Sequence, residues 1–237
     1  MENAGYVTLT RQSGLMREME IIAHNIANAA TTGYRQQGLV FSEFVKAIDG
    51  NESLSMAAAR IKKTSQSQGT LTQTGNTLDL AIEGQGFFQL ETPNGVRLTR
   101  AGAFNVDATG DIVTSDGYRV LDAGGAPINV PQGQSDVQVA ADGTVSLGER
   151  LLGQIGVVEP EAGADLEREA GVLFKTDAAL ELSEDGQVLQ GHLEGSNVDA
   201  ISQLTRMIEV QRAYEIGQKL LDMDHEQTRN ALQTLIK

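Results

Sequence analysis

The sequence predicts an α+β protein in which two long terminal helices enclose a mostly antiparallel β domain. Apolar residues recur at three- and four-residue steps near residues 6–31 and again near 197–236, which is the period of a helix that buries one face. Residues 81–190 instead alternate between short apolar runs and glycine-containing turns, as β-strands do. Two helical stripes at opposite ends of one chain are buried only against each other or against other chains, so this arrangement indicates an assembly protein.

The N-terminal helix is predicted from a single seam of residues spaced by alternating four- and three-residue steps, which is typical of coiled coils. The seam consists of Thr8, Gln12, Leu15, Met19, Ile22, Ile26 and Ala29. We expect Gly33 to end this helix, because glycine readily takes the left-handed conformation of a helix C-cap. Asn25 and Asn28 share one helix face. Their spacing favours local capping near the helix end, and an amide ladder between subunits is the alternative.

The C-terminal helix is predicted to open at Ser196, with the acidic Asp199 three residues later completing a capping box. A second seam follows, and its middle is polar. It consists of Leu204, Met207, Gln211, Tyr214, Gln218, Leu221, His225, Thr228, Leu232 and Leu235, and Ile201 and Ile208 flank it. Polar seam residues weaken a simple buried pair but set its register, so we expect packing against several partly hydrated neighbours. The two terminal helices are thus predicted to pack together as a coiled-coil-like inner domain.

Both terminal helices are predicted to order fully only on assembly. Burying a large apolar side chain returns about 1.5–3 kcal/mol, whereas ordering the backbone of one residue costs about 1–2 kcal/mol. The few seam residues of the N-terminal helix do not offset the ordering of residues 6–31, because most helical stability comes from tertiary packing. We therefore expect the termini to be loose in the isolated monomer.

The segment between the N-terminal helix and the β domain is predicted to be an extended connector. Residues 64–77 are polar, with β-branched side chains and little charge, which favours an extended chain. The conformation of residues 36–63 is left open, since Met56–Ala59 favours a helix locally and the flanks favour a loop. The predicted domains are therefore 1–35, 36–80, 81–190 and 191–237.

The β domain is predicted from the turn pairs that separate its apolar runs. Hairpin-type turns are expected at Asn94-Gly95, Asp116-Gly117, Gly124-Gly125, Asp142-Gly143 and Asp185-Gly186. Residues 84–86 begin like a dinucleotide-binding fingerprint but lack its third glycine, so we interpret them as a tight turn that leads Phe87 and Phe88 into the core. Asp107, Asp111 and Asp116 are interpreted as turn carboxylates rather than calcium ligands, because their spacing differs from that of an EF-hand loop.

The composition argues against several classes of function. Cysteine is absent, and His24, His192 and His225 lack the spacing of a zinc site, so no metal and no other cofactor is expected. Tryptophan is absent and aromatic residues make up 4%, which argues against a stacking groove for sugars or bases and against an enzyme. Residues 81–190 hold 18 acidic and 6 basic side chains, so −12 of the net charge of −14 lies there. Nucleic acid and anionic membranes are therefore not expected partners.

Membrane insertion and a cleaved leader are also not expected. The sequence has no apolar run near the ~18–20 residues that span a bilayer. Arg11, Arg17 and two glutamates interrupt the first helix, and no apolar segment precedes a cleavage site. If the chain leaves the cytosol, we expect it to leave by a route that removes nothing.

Five short sequence blocks lie at the ends of the predicted elements. The first is Asn25-Ile-Ala-Asn-Ala-Ala-Thr-Thr-Gly-Tyr-Arg35. The others are Gly69–Ile82, Gly84–Phe88, Thr99–Phe104, and Glu194–Val198 followed by Met207-Ile208 and Gln211–Glu215. In this order, the blocks closely resemble the flagellar rod and hook protein family of bacteria. Within that family, residues 13–19 and 38–44 are most similar to the proximal-rod type, and His24 stands where relatives often carry a second asparagine.

The resemblance implies a structural subunit of the proximal rod, with a helical inner layer and a β domain that faces outward. It implies head-to-tail association, the contact that yields an open helical tube. The implied partners are further copies of the chain, other proteins of the proximal and distal rod, and the flagellar type III export apparatus. The implied location is the basal-body rod, which crosses the periplasm and transmits torque, reached without a cleaved signal peptide.

The expected assembly interface combines the two seams with the first block. It consists of Leu15, Met19, Ile22, Asn25, Ile26, Asn28, Thr31, Gly33, Tyr34, Ile201, Leu204, Met207, Ile208, Gln211, Tyr214, Leu221, Leu232 and Leu235. We expect Leu204→Asp or Ile22→Asp to block incorporation while the β domain stays folded. The alternatives left open are a paralogous distal-rod or hook subunit, a peptidoglycan-cleaving enzyme and a ligand-binding β domain.

Overall fold

The structure, a computed structural model, describes residues 2–48, 51–131, 136–161 and 163–235. It divides into two compact units, each built from segments that are distant in sequence. The helical unit consists of Met1–Ala27, Gln36–Ser65 and Val198–Lys237, and the β unit consists of Asn28–Arg35 and Gln66–Asn197. Residues 28–35 thus belong to the β unit although they directly follow the first helix.

The helical unit contains two helices and one long hairpin among its described residues. Helix α1 spans Glu2–Ala27 and helix α2 spans Ala200–Leu235. Strands β1 (Gln37–Ile48) and β2 (Asn51–Thr64) pair antiparallel along their length. The segment for which we expected an extended connector therefore contains two long paired strands. The local helix preference of residues 56–59 is overridden, because strand pairing outweighs a weak intrinsic propensity.

The helix ends differ from the predicted ones. Helix α1 ends at Ala27, so Gly33 does not terminate it, and the prediction of a glycine C-cap there is wrong. Helix α2 begins at Ala200, and the preceding Asp199 accepts hydrogen bonds from the Ile201 amide at 3.1 Å and from the Ser202 hydroxyl. Asp199 is therefore the N-cap. The capping box predicted from Ser196 is wrong because the helix starts four residues later.

Within the described residues, neither helix combines the length and apolar character that crossing a membrane requires.

The β unit contains strands β3 to β18 among its described residues, and all of their pairings are antiparallel. Their bounds are β3 Leu71–Gln73, β4 Leu80–Glu83, β5 Phe87–Thr92, β6 Gly95–Thr99, β7 Phe104–Val106, β8 Ile112–Thr114, β9 Arg119–Val120, β10 Val137–Val139, β11 Thr144–Leu147, β12 Arg150–Gln154, β13 Val157–Pro160, β14 Glu167–Ala170, β15 Leu173–Lys175, β16 Leu180–Leu182, β17 Gln187–Gln190 and β18 His192–Glu194. Two terminal helices and a mostly antiparallel β domain confirm the predicted α+β class.

One large sheet dominates the β unit. Its strands lie in the order β14-β15-β6-β5-β9-β8-β7, and β13 joins it through β5 and also pairs with β16. Strands β10 to β12 form a second sheet, and β17 pairs with β4 as β18 does with β3. Strands β17 and β18, the last two of the β unit, pair with β4 and β3, which are its first two. The C-terminal end of the β unit therefore packs beside its N-terminal strands.

The core of the β unit is aliphatic and contains two phenylalanine pairs. The rings of Phe88 and Phe104 lie 5.3 Å apart in the main cluster, and those of Phe87 and Phe174 lie 5.8 Å apart in a smaller one. The glycines of residues 84–86 both have positive φ, 95° and 105°. The prediction of a tight turn that leads two phenylalanines into the core is confirmed.

Most of the predicted turns connect strands that pair with each other. Strands β5 and β6 are joined at Asn94-Gly95, β8 and β9 at Asp116-Gly117, and β10 and β11 at Asp142-Gly143. The Gly124-Gly125 turn lies between Leu121 and Pro127, which form an isolated β-bridge. Asp185-Gly186 joins β16 to β17, which pair with β13 and β4 instead, so the hairpin predicted there is wrong. A turn signal fixes a chain reversal but not the partner of each strand.

The carboxylate of Asp107 has the turn role that the sequence predicts. It accepts hydrogen bonds from the amides of Thr109 at 2.8 Å and Asp111 at 2.9 Å. These bonds close the connection between β7 and β8.

Candidate functional site

Helices α1 and α2 pack against each other in an antiparallel direction. Three polar contacts define this direction, because their residue numbers rise along α1 while they fall along α2. They join Gln12 Nε2 to the Tyr214 carbonyl at 2.8 Å, Glu18 Oε1 to Arg206 Nη2 at 2.7 Å, and Asn25 Nδ2 to Gln203 Oε1 at 3.0 Å.

An apolar cluster fills the seam between these contacts. Leu15, Ile22 and Val210 are buried at its centre. Met19, Ile26, Met207, Ala213 and Tyr214 pack around them and are partly buried. The α1 side of this cluster uses the predicted seam. Since Ile22 is buried within its own chain, Ile22→Asp should disturb the monomer as well as the assembly.

The face of α2 that packs against α1 matches the predicted seam at every second position. At the positions between them, the inward residue is the one that precedes the predicted residue. Met207, Tyr214 and Leu221 face inward as predicted, but Leu204, Gln211, Gln218 and His225 are exposed. The inward positions beside them are instead Gln203, Val210, Gly217 and Asp224. The register assigned from sequence is therefore wrong in part. A glycine and two polar residues occupy the true seam beside Val210, so the spacing of apolar residues did not identify it.

A second apolar face of α2 has no partner within the described chain. We refer to its six large side chains, each between 51% and 76% exposed, as the exposed α2 stripe. They are Ile201, Leu204, Ile208, Ile216, Leu220 and Met223. Ile208 and Val210 are two residues apart, about 200° around the helix axis. Helix α2 is thus apolar on two opposite sides, and only one side contacts α1.

Asn25 connects three segments of the helical unit. Its side chain is buried, and its Nδ2 donates to the Gln37 carbonyl at 2.8 Å as well as to Gln203. The Gln37 amide donates to Asn25 Oδ1 at 3.0 Å. Both backbone groups of the first residue of β1 are therefore held by one amide at the end of α1. The amide group of Asn25 thus finds hydrogen-bond partners for both its nitrogen and its oxygen within one chain, without an amide ladder between subunits.

A buried ion cluster in the β unit is centred on Glu194. One carboxylate oxygen lies 2.9 Å from Arg35 Nη2 and accepts from the Gly69 amide at 2.9 Å. The other accepts from Arg100 Nη1 at 3.1 Å. The Glu194 carbonyl also accepts from the Gly33 amide at 2.7 Å. The segment after α1, the segment after β6 and the segment before α2 therefore meet at one side chain.

The two arginines of this cluster depend on the single carboxylate. Burial lowers the pKa of Arg100 to about 10, although Glu194 opposes this shift. Burial also lowers the pKa of Arg35, again against the attraction of Glu194. The carbonyls of Ile82 and Gly84 accept further bonds from Arg100 at 3.1 and 2.7 Å. The carbonyl dipoles thus offset part of the cost of burying the Arg100 charge. The carboxylate of Glu194 is the one negative group that contacts both arginines.

Two glycines allow the backbone to approach closely around the cluster. Gly33 has φ 70°, and a Cβ atom there would lie 2.2 Å from the Ala101 amide nitrogen. A Cβ atom at Gly102 would lie 1.6 Å from the Leu80 carbonyl oxygen. Residue 33 is therefore a packing position in the β unit rather than a helix terminator.

The residues of the expected interface lie in four different environments. Asn28 and Thr31 form a local turn, with the Thr31 hydroxyl 3.2 Å from Asn28 Oδ1, and Tyr34 is buried in the β unit. The seam and the stripe hold most of the others. The side chains of Leu232 and Leu235 lie outside the described part of the chain. Sequence reasoning missed Arg35, Arg100 and Glu194 as a group, although each stands in one of the quoted blocks.

Comparison with known proteins assigns the family. A family described as "Flagella basal body rod protein" matches residues 6–35, one described as "Flagellar hook protein FlgE/F/G D1 domain" matches 81–147, and one described as "Flagellar basal body rod FlgEFG protein C-terminal" matches 189–234. "Flagellar basal-body rod protein FlgF" of Caulobacter vibrioides is 38% identical over 100% of this chain and 99% of its own length. The chain belongs to the flagellar basal-body rod protein family.

Further relatives refine the position of this rod protein within the family. The protein of the same FlgF name from Mesorhizobium japonicum is 34% identical over 99% of this chain and 98% of its own length. "Flagellar basal-body rod protein FlgG" of Bacillus subtilis is 33% identical over 93% of this chain and 94% of its own length. The end-to-end alignments with FlgF proteins make this chain a FlgF-type rod protein, and the FlgG proteins are paralogues.

The buried cluster takes one residue from each of the three matched stretches of the rod protein. Arg35 lies in 6–35, Arg100 in 81–147 and Glu194 in 189–234. The hairpin of β1 and β2 and the strands β13 to β16 lie outside these stretches. The three matched stretches therefore meet at the ion cluster.

Proposed function

We propose that this rod protein is a subunit of the proximal rod that polymerises head to tail into an open helical tube. In this proposal the tube crosses the periplasm and transmits torque, and other rod and hook proteins are its neighbours along the axis. The chain reaches the rod through the flagellar type III export apparatus without cleavage. Its membership of a structural family supports the role of a subunit, with no reaction to catalyse.

The exposed α2 stripe is the observation that carries this proposal. Six large apolar side chains on one helix face are costly in water, since burying each returns about 1.5–3 kcal/mol. Large apolar side chains that are exposed together on one face mark protein contacts. A helix that is apolar on two opposite sides fits between two neighbours. One neighbour is α1 of the same chain, and the proposal assigns the other to a further subunit.

The proposed inner wall of the tube is made of α1 and α2 packed in a coiled-coil-like manner. The four- and three-residue steps between the inward positions of α2 support this geometry. In a helical polymer each stripe would meet the helices of adjacent copies, and the contact is heterologous, so it repeats without closing.

A truncation tests the proposal against a ligand-binding β domain. A strain lacking this chain is complemented either with the full chain or with a chain that ends at residue 197, and basal bodies are isolated from each. The proposal predicts motility and complete rods with the full chain only. Motility with the truncated chain would contradict it, because α2 and its exposed stripe would then be dispensable.

A paralogous position further along the rod is the second candidate, and the 33% identity with a FlgG protein raises it. The two candidates differ in where the chain lies along the axis. A tagged chain labelled in isolated basal bodies should lie at the membrane-proximal end of the rod. Label next to the hook would favour the paralogous position.

A further inference from the structure

The guanidinium of Arg168 lies between two aromatic rings of the β unit. Its carbon atom is 4.2 Å from the centroid of the Tyr34 ring and 4.8 Å from that of the Phe174 ring. It donates hydrogen bonds to the backbone carbonyls of Arg35 and Gly171. Arg168 therefore holds a β-hairpin, formed by β14 and β15, against the two residues that end the first sequence block.

No carboxylate forms an ion pair with Arg168 within the described residues. Burial lowers its pKa, and burial raises the pKa of the Tyr34 phenol. The cation is instead stabilised by the ring faces and by two carbonyl dipoles. A planar guanidinium stacks on an aromatic ring while its nitrogens donate to two carbonyls, and the compact ammonium group of a lysine reproduces this combination only in part.

The hairpin that carries Arg168 is itself fixed to the large sheet. Phe174 of β15 pairs with Leu98 of β6, and the Thr99 hydroxyl donates to the Val172 carbonyl at 3.1 Å. This places Arg168 on a rigid element. Rigid elements hold a side chain more precisely than loops do.

The residues that Arg168 contacts are themselves connected to the segment that precedes α2. The Tyr34 carbonyl accepts from the Asn197 amide at 3.2 Å, and Arg35 contacts Glu194. Arg168 therefore acts on the segment that follows α1 and, through it, on the segment that leads into α2. The hairpin lies outside the three family matches, whereas Tyr34 and Arg35 lie inside one.

We propose that Arg168 is a positioning residue that fixes Tyr34 and Arg35 in the conformation from which this chain enters the rod. The inference rests on the proposed function of a rod subunit. It assigns to the β14–β15 hairpin, an element outside the family matches, a role in the assembly of this member. A merely stabilising side chain would contribute to the free energy of unfolding, and its removal would leave Tyr34 in one conformation in the folded chain.

The test uses the full chain labelled with 3-fluorotyrosine, whose four tyrosines give separate ¹⁹F resonances. Tyr34→Phe assigns the Tyr34 signal. Arg168→Ala and Arg168→Lys are compared with Arg150→Ala, which removes an exposed arginine of β12 in the same unit. In Arg168→Ala we expect the Tyr34 signal to split into two, with the ordered form about tenfold less populated. Arg168→Lys should give an intermediate spectrum, and Arg150→Ala the wild-type spectrum.

The same variants are then expressed in a strain lacking the chain, and their amounts in isolated basal bodies are measured by mass spectrometry. We expect a large loss for Arg168→Ala, a smaller loss for Arg168→Lys and no loss for Arg150→Ala. A single Tyr34 signal in Arg168→Ala, or a split signal with normal incorporation, overturns the inference. If Arg168→Ala does not fold, Arg168→Lys tests the inference by the same two measurements, the Tyr34 signal and the amount of the chain in basal bodies. Absence of the wild-type chain from basal bodies would instead contradict the proposed function and leave the Tyr34 measurement valid.

Discussion

The carboxylate of Glu194 lies 2.9 Å from the guanidinium of Arg35, and the two side chains are only 1% and 2% exposed. Arg100 shares the same carboxylate from the other side. An ion cluster of this kind is weak evidence for stability as such, since burying charges is costly. The cluster makes the segments that carry Arg35, Arg100 and Glu194 depend on one another. Loss of the Glu194 carboxylate leaves two buried cations without the negative group that contacts them.

Glu194→Gln should therefore destabilise the β unit strongly. The amide keeps the size of the side chain but not its charge, and breaking a buried pair from one side costs about 3–5 kcal/mol. Glu91→Gln is the matched control, because Glu91 pairs with Arg119 at 2.8 Å while both are about half exposed. That control should cost about 0–1 kcal/mol. Urea unfolding of the purified chains measures both, and equal costs would contradict the role given to the cluster.

Gly33→Ala should lower the free energy of unfolding by far more than the positive φ of residue 33 alone would cause. A methyl group there would lie 2.2 Å from the Ala101 amide nitrogen, so the two segments must separate. Gly75→Ala is the control, because Gly75 has nearly the same φ, 75°, and nothing lies within 4 Å of the added carbon. The control should cost about 1–2 kcal/mol. If the unfolding free energies of the two variants are alike, the close approach at residue 33 is not what the glycine provides.

Asn25→Ala should release the start of β1 from α1. The variant leaves the Gln37 amide and carbonyl without their described Asn25 partner, and an unsatisfied buried group costs about 1–3 kcal/mol. Amide exchange of residues 36–40, measured by mass spectrometry, should accelerate. Asn28→Ala removes the bond from the Thr31 hydroxyl, leaves the Asn25 contacts in place and should leave this exchange unchanged. Equal protection in the two variants would count against the Asn25 contacts.

The capping of α2 should weaken in acid. The Ser202 hydroxyl and the Ile201 amide donate to the Asp199 carboxylate and hold its pKa below the ordinary value of 3.8. Because the pKa is lower in the folded state, this stabilisation is fully present above the unfolded pKa and is lost as pH falls through the folded pKa.

Asp199→Asn keeps a capping side chain but removes its titration. Its helical signal should fall less than that of the wild type between about pH 5 and pH 2. Asp222→Asn, at an exposed position within α2, should follow the wild-type curve. Identical acid curves for Asp199→Asn and the wild type would refute the capping role.

The sequence predicted those features that follow from local periodicity. The seam of α1 was correct because Leu15, Met19, Ile22 and Ile26 are the large apolar residues at a regular spacing. The register of α2 was not, since Gln203, Gly217 and Asp224 occupy three of its inward positions and carry no apolar signal. The looseness of both termini in the monomer stays a prediction.

The ion cluster was beyond sequence reasoning for a different reason. Nothing local to Arg35, Arg100 or Glu194 indicates that they pair, because their contact depends on strand pairings between distant segments. The Asp185-Gly186 turn illustrates the same limit, since its reversal was predicted and its strand partners were not. Blocks quoted for their family resemblance contain all three charged residues, so resemblance identified the positions without giving their geometry.

The assembly role of the exposed α2 stripe is tested most directly by Ile208→Asp. Ile208 is 51% exposed and lies on the side of α2 that does not contact α1, so the charge should leave the monomer unchanged. Gln218→Asp adds the same charge to α2 at an exposed position outside the stripe. The account predicts that Ile208→Asp is exported and folded but missing from isolated basal bodies, while Gln218→Asp is incorporated. Incorporation of Ile208→Asp at the wild-type level would contradict it.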